Sequence, residues 1–378
     1  MKRVIATLPL SPRQTPVLGY CLSAFATHIL GSLTGLSSVI ALNTKGTRGW
    51  SIADADAFTQ LISRITEASF TTWHDEQQEW VDHLSAFSAH GLQEGWLTIE
   101  ERETYCCSCG KVEFLPEPLN LVQNDFRRKT YEIQDGTIYC RLCNTTAYLK
   151  KTNCLLMQIP QELHSMSCFP NYAQLEWSGL ARQLCGRKFL ISRTRDTGMC
   201  AQIGSSIFFL DVDLCWMLMP FILAQKGLQI EVLVCGHKTI KHALLTVAVS
   251  QLMSVPVPSS IVAVPYLHVR GSHYTENSAE KLLELYGAKA VRVYLAMALG
   301  GSAKEITLLE DDLRFMGYTA QRSFKMVSME DHCTPIKAWH SLGMQKIRHA
   351  AAEIRRGHED CVSLETKQVF SILLRHET

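Results

Sequence analysis

The chain carries almost no excess charge: 37 basic residues face 36 acidic ones in 378, a formal net charge of +1. That balance supplies no global field for nucleic acid, so any RNA or DNA contact would need a local patch. Long apolar runs are missing as well. The most apolar stretch, residues 207–223, contains Asp211 and Asp213 and falls short of the roughly 20 apolar residues that a membrane span needs. It reads as a buried strand followed by a buried helix, and no membrane contact is expected. The start, MKRVIATLPLSPRQ, is basic, but its apolar run is cut by Pro9 and Pro12 and lacks the length of a secretory signal. Low-complexity tracts and internal repeats are absent, and no Ser-His-Asp or Cys-His arrangement stands out.

What is present describes an ordinary globular chain. With 47% hydrophobic and 19% charged residues it can build a large core with one or two inserted modules, which excludes disordered and collagen-like classes. Fourteen cysteines at irregular spacing, without an export signal, fit a reducing cytoplasm better than a disulfide framework.

Residues 4–8 form a short apolar run, 22–36 a helical pattern and 38–42 a second apolar run: strand, helix, strand, the unit of a parallel sheet. Helical stretches follow at 53–67 and 75–88. The alternation resumes with a strand at 207–210, a helix at 214–225, a strand at 230–234, a helix at 239–252 and a strand at 261–264, the second half of a doubly wound sheet. Asn277 and Glu280 resemble a capping box opening a helix over 278–285, which Gly287 closes. Beyond about residue 299 the pattern is helical. The expected division is 1–100 and 156–300 for two halves of an α/β core, 101–155 for an insertion and 301–378 for a C-terminal helical segment.

The insertion is rich in cysteine. Cys106 with Cys109 and Cys140 with Cys143 make two Cys-x-x-Cys pairs beside the turn-forming Gly110 and Asn144. Four thiolates at this spacing suit tetrahedral Zn(2+) with no open position, hence a structural role in a module that cannot build its own core. Four free thiols is the other reading. Cys107 creates a second register, and Cys106 is preferred because a two-residue spacer allows the knuckle turn.

Laid beside class I methionyl-tRNA synthetases, the sequence is similar in order over nearly the whole catalytic core. LPL, from Leu8 to Leu10, resembles the family's LPY, and LGY, with Gly19 and Tyr20, falls where the HIGH signature would lie. Residues 73–96 resemble the helix before the zinc knuckles, and YCCSCGKVEFLPE resembles the first knuckle. FLDVDLCW, from Phe209 to Trp216, resembles WLDAPIGY; GHKTIKH, from Gly236 to His242, resembles GKDIVYFH; YGAKAVRVYL is close to YGADALRYYL. The resemblance implies a Rossmann-like class I synthetase sheet with an inserted zinc-knuckle module, binding ATP and an amino acid.

The departures are chemical. Val17 and Tyr20 stand where the family's two histidines meet the ATP phosphates, while Gly19 is kept, allowing close backbone approach to adenine. The KMSKS signature aligns with His268, Val269, Arg270, Gly271 and Ser272, so both lysines are gone; Arg270, His268 and His273 are the candidate replacement cations. Gly236, His237 and Lys238 are further nucleotide-side candidates. On the amino-acid side the family's acidic motif becomes Asn43, Thr44, Lys45 and Gly46. Phe209 replaces a tryptophan, Trp216 a tyrosine and Asp213 a proline; His242 is kept, and Leu8, Leu10 and Asp211 complete the candidate pocket. Asp213 reads equally as a helix cap, and His242 equally as a core histidine.

These changes argue against methionine and for a more polar or differently charged amino acid, activated outside translation; a non-catalytic paralogue that binds a ligand or a protein partner is the alternative. The family's anticodon-binding bundle is not expected, which argues against anticodon recognition of tRNA. Residues 336–356 read as one basic amphipathic helix with a solvated outer face.

Overall fold

The computed structural model describes residues 1–44, 51–74, 78–109, 113–114, 131–193, 200–203, 206–210, 214–270, 278–320 and 333–374. The chain opens with strand β1 (Lys2–Thr7), helix α1 (Leu22–Thr34), strand β2 (Ser37–Leu42), helix α2 (Ile52–Thr66), strand β3 (Thr71–His74) and helix α3 (Gln78–Gln93). Local chemistry sets the ends of these helices. Gly35, at φ 69°, closes α1 in the left-handed conformation that glycine adopts without strain. A reciprocal cap opens α2: the Ser51 hydroxyl accepts from Asp54 N, and the Asp54 carboxylate accepts from Ser51 N at 2.8 Å.

Strand β4 (Leu97–Cys106) then leaves the core and β8 (Tyr148–Gln158) returns beside it, antiparallel, with Leu97 opposite Met157 and Cys106 opposite Tyr148. Between them lie β5 (Glu113–Phe114), β6 (Tyr131–Gln134) and β7 (Thr137–Cys140). Leu97, Leu155, Leu156 and Met157 bury the foot of this ribbon, while Glu101, Arg102 and Glu103 are exposed along its middle.

The chain continues through β9 (Ser167–Phe169), α4 (Asn171–Leu184), β10 (Lys188–Leu190), β11 (Ser192–Arg193), β12 (Cys200–Ile203), β13 (Ser206–Leu210), α5 (Leu214–Gln225), β14 (Leu228–Gly236), α6 (Ile240–Leu252) and β15 (Ser260–Val264). Among the described residues the main sheet has the order β3-β2-β1-β14-β15-β9, every neighbouring pair parallel. One expectation is corrected here. Residues 207–210 belong not to this sheet but to an antiparallel one, with β13 between β11 and β12. Ile207 is largely exposed, which suits a strand wet on one face, whereas Ile261, Val262 and Ala263 of β15 are fully buried, as parallel strands covered on both sides must be. The outer parallel position goes to β9, three residues too few to show a pattern.

The remaining elements are β16 (Tyr266–Arg270), α7 (Ala279–Ala298), β17 (Glu305–Leu309), α8 (Glu310–Ala320), α9 (Pro335–His340), α10 (Met344–Arg356) and α11 (Leu364–Leu374). Val4, Ala6, Leu8, Val39 and Ala41 point to one side of the sheet, into the cluster that takes residues from α3, α4, α5 and α6. Ile5, Ile40, Leu42, Val232 and Val234 point to the other, into the cluster with α1, α2, α7 and the C-terminal helices. This is the doubly wound arrangement.

Gly287, at φ 78°, interrupts α7 where the sequence placed a helix end; Ser278 is the N-cap, and Asn277 lies outside the described residues. Residues 336–356 form two helices rather than one. The break at Gly343, φ 115°, lets residue 342 approach the core so closely that a Cβ on Gly300 would sit 2.4 Å from the Leu342 carbonyl oxygen. Ile347, Ala350, Ala351 and Ile354 of α10 are buried in the cluster that contains α7. Arg292, 1% exposed, ties the segment down: it donates to the carbonyls of Leu373 (2.6 Å) and Ile65 (3.2 Å) and lies 3.1 Å from Glu67. Among the described residues no helix is long and apolar enough to cross a membrane.

Candidate ligand site and thiolate cluster

The sheet reverses its direction of growth between β1 and β14, and the carboxyl ends of parallel strands at such a point are the usual place for a ligand. There the backbone assembles residues far apart in sequence. Leu8 N donates to Val234 O, Leu10 N to Ala41 O and Asn43 N to Leu10 O, at 2.8, 2.9 and 2.8 Å. Gly236 ends β14, and His237 and Lys238 form a short turn fixed by Thr239 Oγ1 donating to Gly236 O at 2.8 Å. His242 follows in the first turn of α6. Helix α5 precedes β14 and packs along it, so its first turn, with Trp216, lies at the same edge. The Trp216 and His242 rings meet edge to face, 4.2 Å between centroids, and Thr246 Oγ1 donates to both their carbonyls (3.1 and 2.8 Å). Phe209 is half-buried on β13, opposite Cys200 and Arg193. Asp211, Asp213 and His273 lie outside the described residues.

The two segments that the resemblance aligns with the family's signatures adjoin. A Cβ on Gly19 would lie 2.3 Å from the Leu267 carbonyl oxygen, Ala279 N donates to Pro16 O at 2.9 Å, and Val17 bridges Ser278. The bare Cα of Gly19 therefore admits the backbone of β16. Val17 is exposed and has no polar group to offer. Tyr20 commits its hydroxyl proton to Ser11 O at 2.6 Å, and the Arg13 guanidinium lies 4.4 Å over its ring. Burial raises the Tyr20 pKa, partly offset by Arg13, so the phenol stays protonated.

His268 and Arg270 are exposed on β16. His268 Nε2 lies 3.7 Å and Lys238 Nζ 3.8 Å from Glu305 on the adjoining β17, while Lys238 also sits 5.0 Å over the Tyr266 ring. Sequence reading missed Glu305, which lies in a separate strand paired with β16 and has no motif of its own. Both pairs are exposed and worth about 0–1 kcal/mol each. His237 is buried, and that burial, then the Lys238 charge, holds its imidazole below the ordinary range.

At the ribbon's tip the thiols of Cys107, Cys109, Cys140 and Cys143 lie within 4.8 Å of one another. Cys107 to Cys109 is 3.4 Å and Cys109 to Cys140 is 3.6 Å. Four thiolates about 2.3 Å from a tetrahedral ion would be about 3.8 Å apart, so the donor set fits a metal. Cys106, the ligand expected from the sequence, stands outside the cluster. It is the last residue of β4, and strand alternation turns it to the side of Thr104, whose Oγ1 is 3.3 Å from its sulfur, while Cys107 turns the other way. Leu142 N donates to Cys140 Sγ at 3.4 Å. Hydrogen bonds from Ser108 and Thr145 hold the Cys143 thiol well down, at about 5, favouring the thiolate a metal needs.

No protein-family model matches the sequence, and no curated protein does. Solved structures do. The Mycobacterium tuberculosis methionyl-tRNA synthetase in complex with methionyl-adenylate superposes with a TM-score of 0.65, covering 99% of this chain and 88% of that one at 11% identity. The fold is methionyl-tRNA synthetase-like. The apo form of the same bacterial enzyme gives 0.58, over 99% of this chain and 78% of that one, at 14% identity. Since so little identity carries the likeness, the synthetase-like core shares architecture, and its chemistry has to be argued from its own residues.

Proposed function

We propose that this synthetase-like protein binds a small amino acid and ATP at the carboxyl edge of its sheet and condenses them to an aminoacyl-adenylate, outside translation. One observation carries the reading: two signature segments far apart in sequence close against each other, Gly19 on Leu267, beside the edge where Leu8, Leu10, Asn43, Trp216 and His242 collect. In-line attack of a carboxylate on an α-phosphate needs positioning and charge neutralisation rather than a covalent nucleophile. Arg270, His268, His273 and Lys238 are the cations we assign to the phosphates. The proposed cofactor is a structural Zn(2+) on Cys107, Cys109, Cys140 and Cys143, which would hold the tip of the ribbon. A cytoplasmic setting is the one in which cysteines at such irregular spacing stay reduced.

A second reading has specific support. Val17 offers no donor, and Tyr20 has spent its own on Ser11, so the phosphate grip of the first signature is gone. A paralogue that binds ligand without activating it, or that scaffolds a protein partner, accommodates this loss.

Amino-acid-dependent exchange of labelled pyrophosphate into ATP, over a broad panel of amino acids, decides between them. Exchange with one substrate supports activation; no exchange, with ATP and an amino acid still raising the melting temperature, supports the binder. If no ligand stabilises the protein, activation and ligand binding both fall, and the scaffold for a protein partner is what remains. Arg270→Ala should lower exchange about 100- to 1,000-fold, the usual effect of removing one charge-stabilising donor.

A further inference from the structure

Asn43 Oδ1 and Trp216 Nε1, buried polar atoms at the carboxyl edge of the sheet, have no hydrogen-bond partner among the described residues. Asn43 is 2% exposed and its Oδ1 accepts nothing; Trp216 is 9% exposed and its Nε1 donates to nothing. An orphaned buried group is costly to a fold, typically about 1–3 kcal/mol, so two at one edge call for an explanation.

Both belong to the same side of the sheet. Along β2, Val39 and Ala41 face the cluster built from α3 to α6, and Asn43 continues that alternation by two residues. Trp216 belongs to that same cluster, as does Leu8. Along the edge, Asn43 is bonded to Leu10 through its backbone, β1 is bonded to β14 through Leu8, and β14 leads into the turn before His242, whose ring touches Trp216. One orphan is an acceptor and the other a donor.

We infer that this edge selects an amino acid whose side chain ends in a neutral group able both to donate and to accept, a carboxamide or a hydroxyl, with Asn43 Oδ1 taking its proton and Trp216 Nε1–H meeting its oxygen. A thioether or alkyl side chain would leave both protein atoms orphaned in the complex. A carboxylate would satisfy Trp216 and set a negative charge against the Asn43 oxygen. The inference rests on the proposed amino-acid site and narrows its substrate class.

The test is ligand-induced stabilisation, with saturating ATP, over side chains matched in length: asparagine, glutamine and homoserine against norvaline, norleucine and methionine. The polar members should bind about ten- to a hundredfold tighter. Asn43→Leu and Trp216→Phe should each abolish that preference while the variants still unfold cooperatively and are still stabilised by ATP with an alkyl amino acid. Equal or tighter binding of the alkyl and thioether series overturns the inference and leaves the amino-acid site standing. Retention of the polar preference in both variants overturns it too. If no amino acid binds at all, the proposed function falls, and this inference with it.

Discussion

At the tip of the β4–β8 ribbon the buried apolar side chains among the described residues are Ile138 and Ala147 beside two cysteines, whereas the C-terminal helices bury Trp339, Ile347, Val369, Phe370 and Leu373 in the main core. Both regions are additions to one parallel sheet. Among the described residues the first buries little apolar surface and gathers four thiols, and the second is continuous with the core. A region's dependence on a ligand can thus be read from what it buries.

The comparison breaks or sharpens under four experiments. Chelation, or Cys107→Ser, should release the ribbon's tip, since structural zinc supplies about 10–16 kcal/mol in finger peptides. Limited proteolysis should then cut within residues 107–147 while the main melting transition persists; an unchanged digest would contradict the metal's role. On the C-terminal side, Arg292→Ala leaves Glu67 and the carbonyls of Leu373 and Ile65 without their cation and should cost about 3–5 kcal/mol in urea unfolding. Loss of only a few tenths would show that the helices are held by apolar contact alone.

Acid should weaken this same side. His28 is buried on α1, and burial, then the Arg292 charge, lowers its pKa from about 6.5 to about 4. The unfolded chain takes up a proton that the folded one refuses, so stability present above about pH 6.5 falls as pH drops toward 4 and then levels, about 3 kcal/mol in all. His28→Gln should flatten that slope. The smallest effect separates adjacent cysteines: Cys106→Ala should cost about 1 kcal/mol and leave metal content unchanged, while Cys107→Ser lowers it. Equal loss of metal in both variants would restore the register expected from spacing.

How far the sequence could be read follows from the range of each interaction. The β1-α1-β2 unit and the break at Gly287 were legible because periodicity and backbone preference are local. The paired cysteines announced a cluster of thiols, but not its register: whether Cys106 or Cys107 faces the other thiols depends on which way β4 is turned by its pairing with β8. Strand β13 was misplaced because an apolar run does not disclose its neighbours. Splitting 336–356 into two helices required knowing that Gly300 lies beneath Leu342.

By itself the sequence determined an alternating α/β chain and an insertion with two Cys-x-x-Cys pairs, since composition, period and spacing are properties of neighbours along the chain. Only the tertiary structure decided that Gly19 meets Leu267, that Glu305 joins Lys238 and His268, and that Asn43 and Trp216 are buried at one edge with atoms unpaired. Those facts depend on which strands lie side by side and how completely water is excluded, and both are settled by packing across the sheet rather than along it.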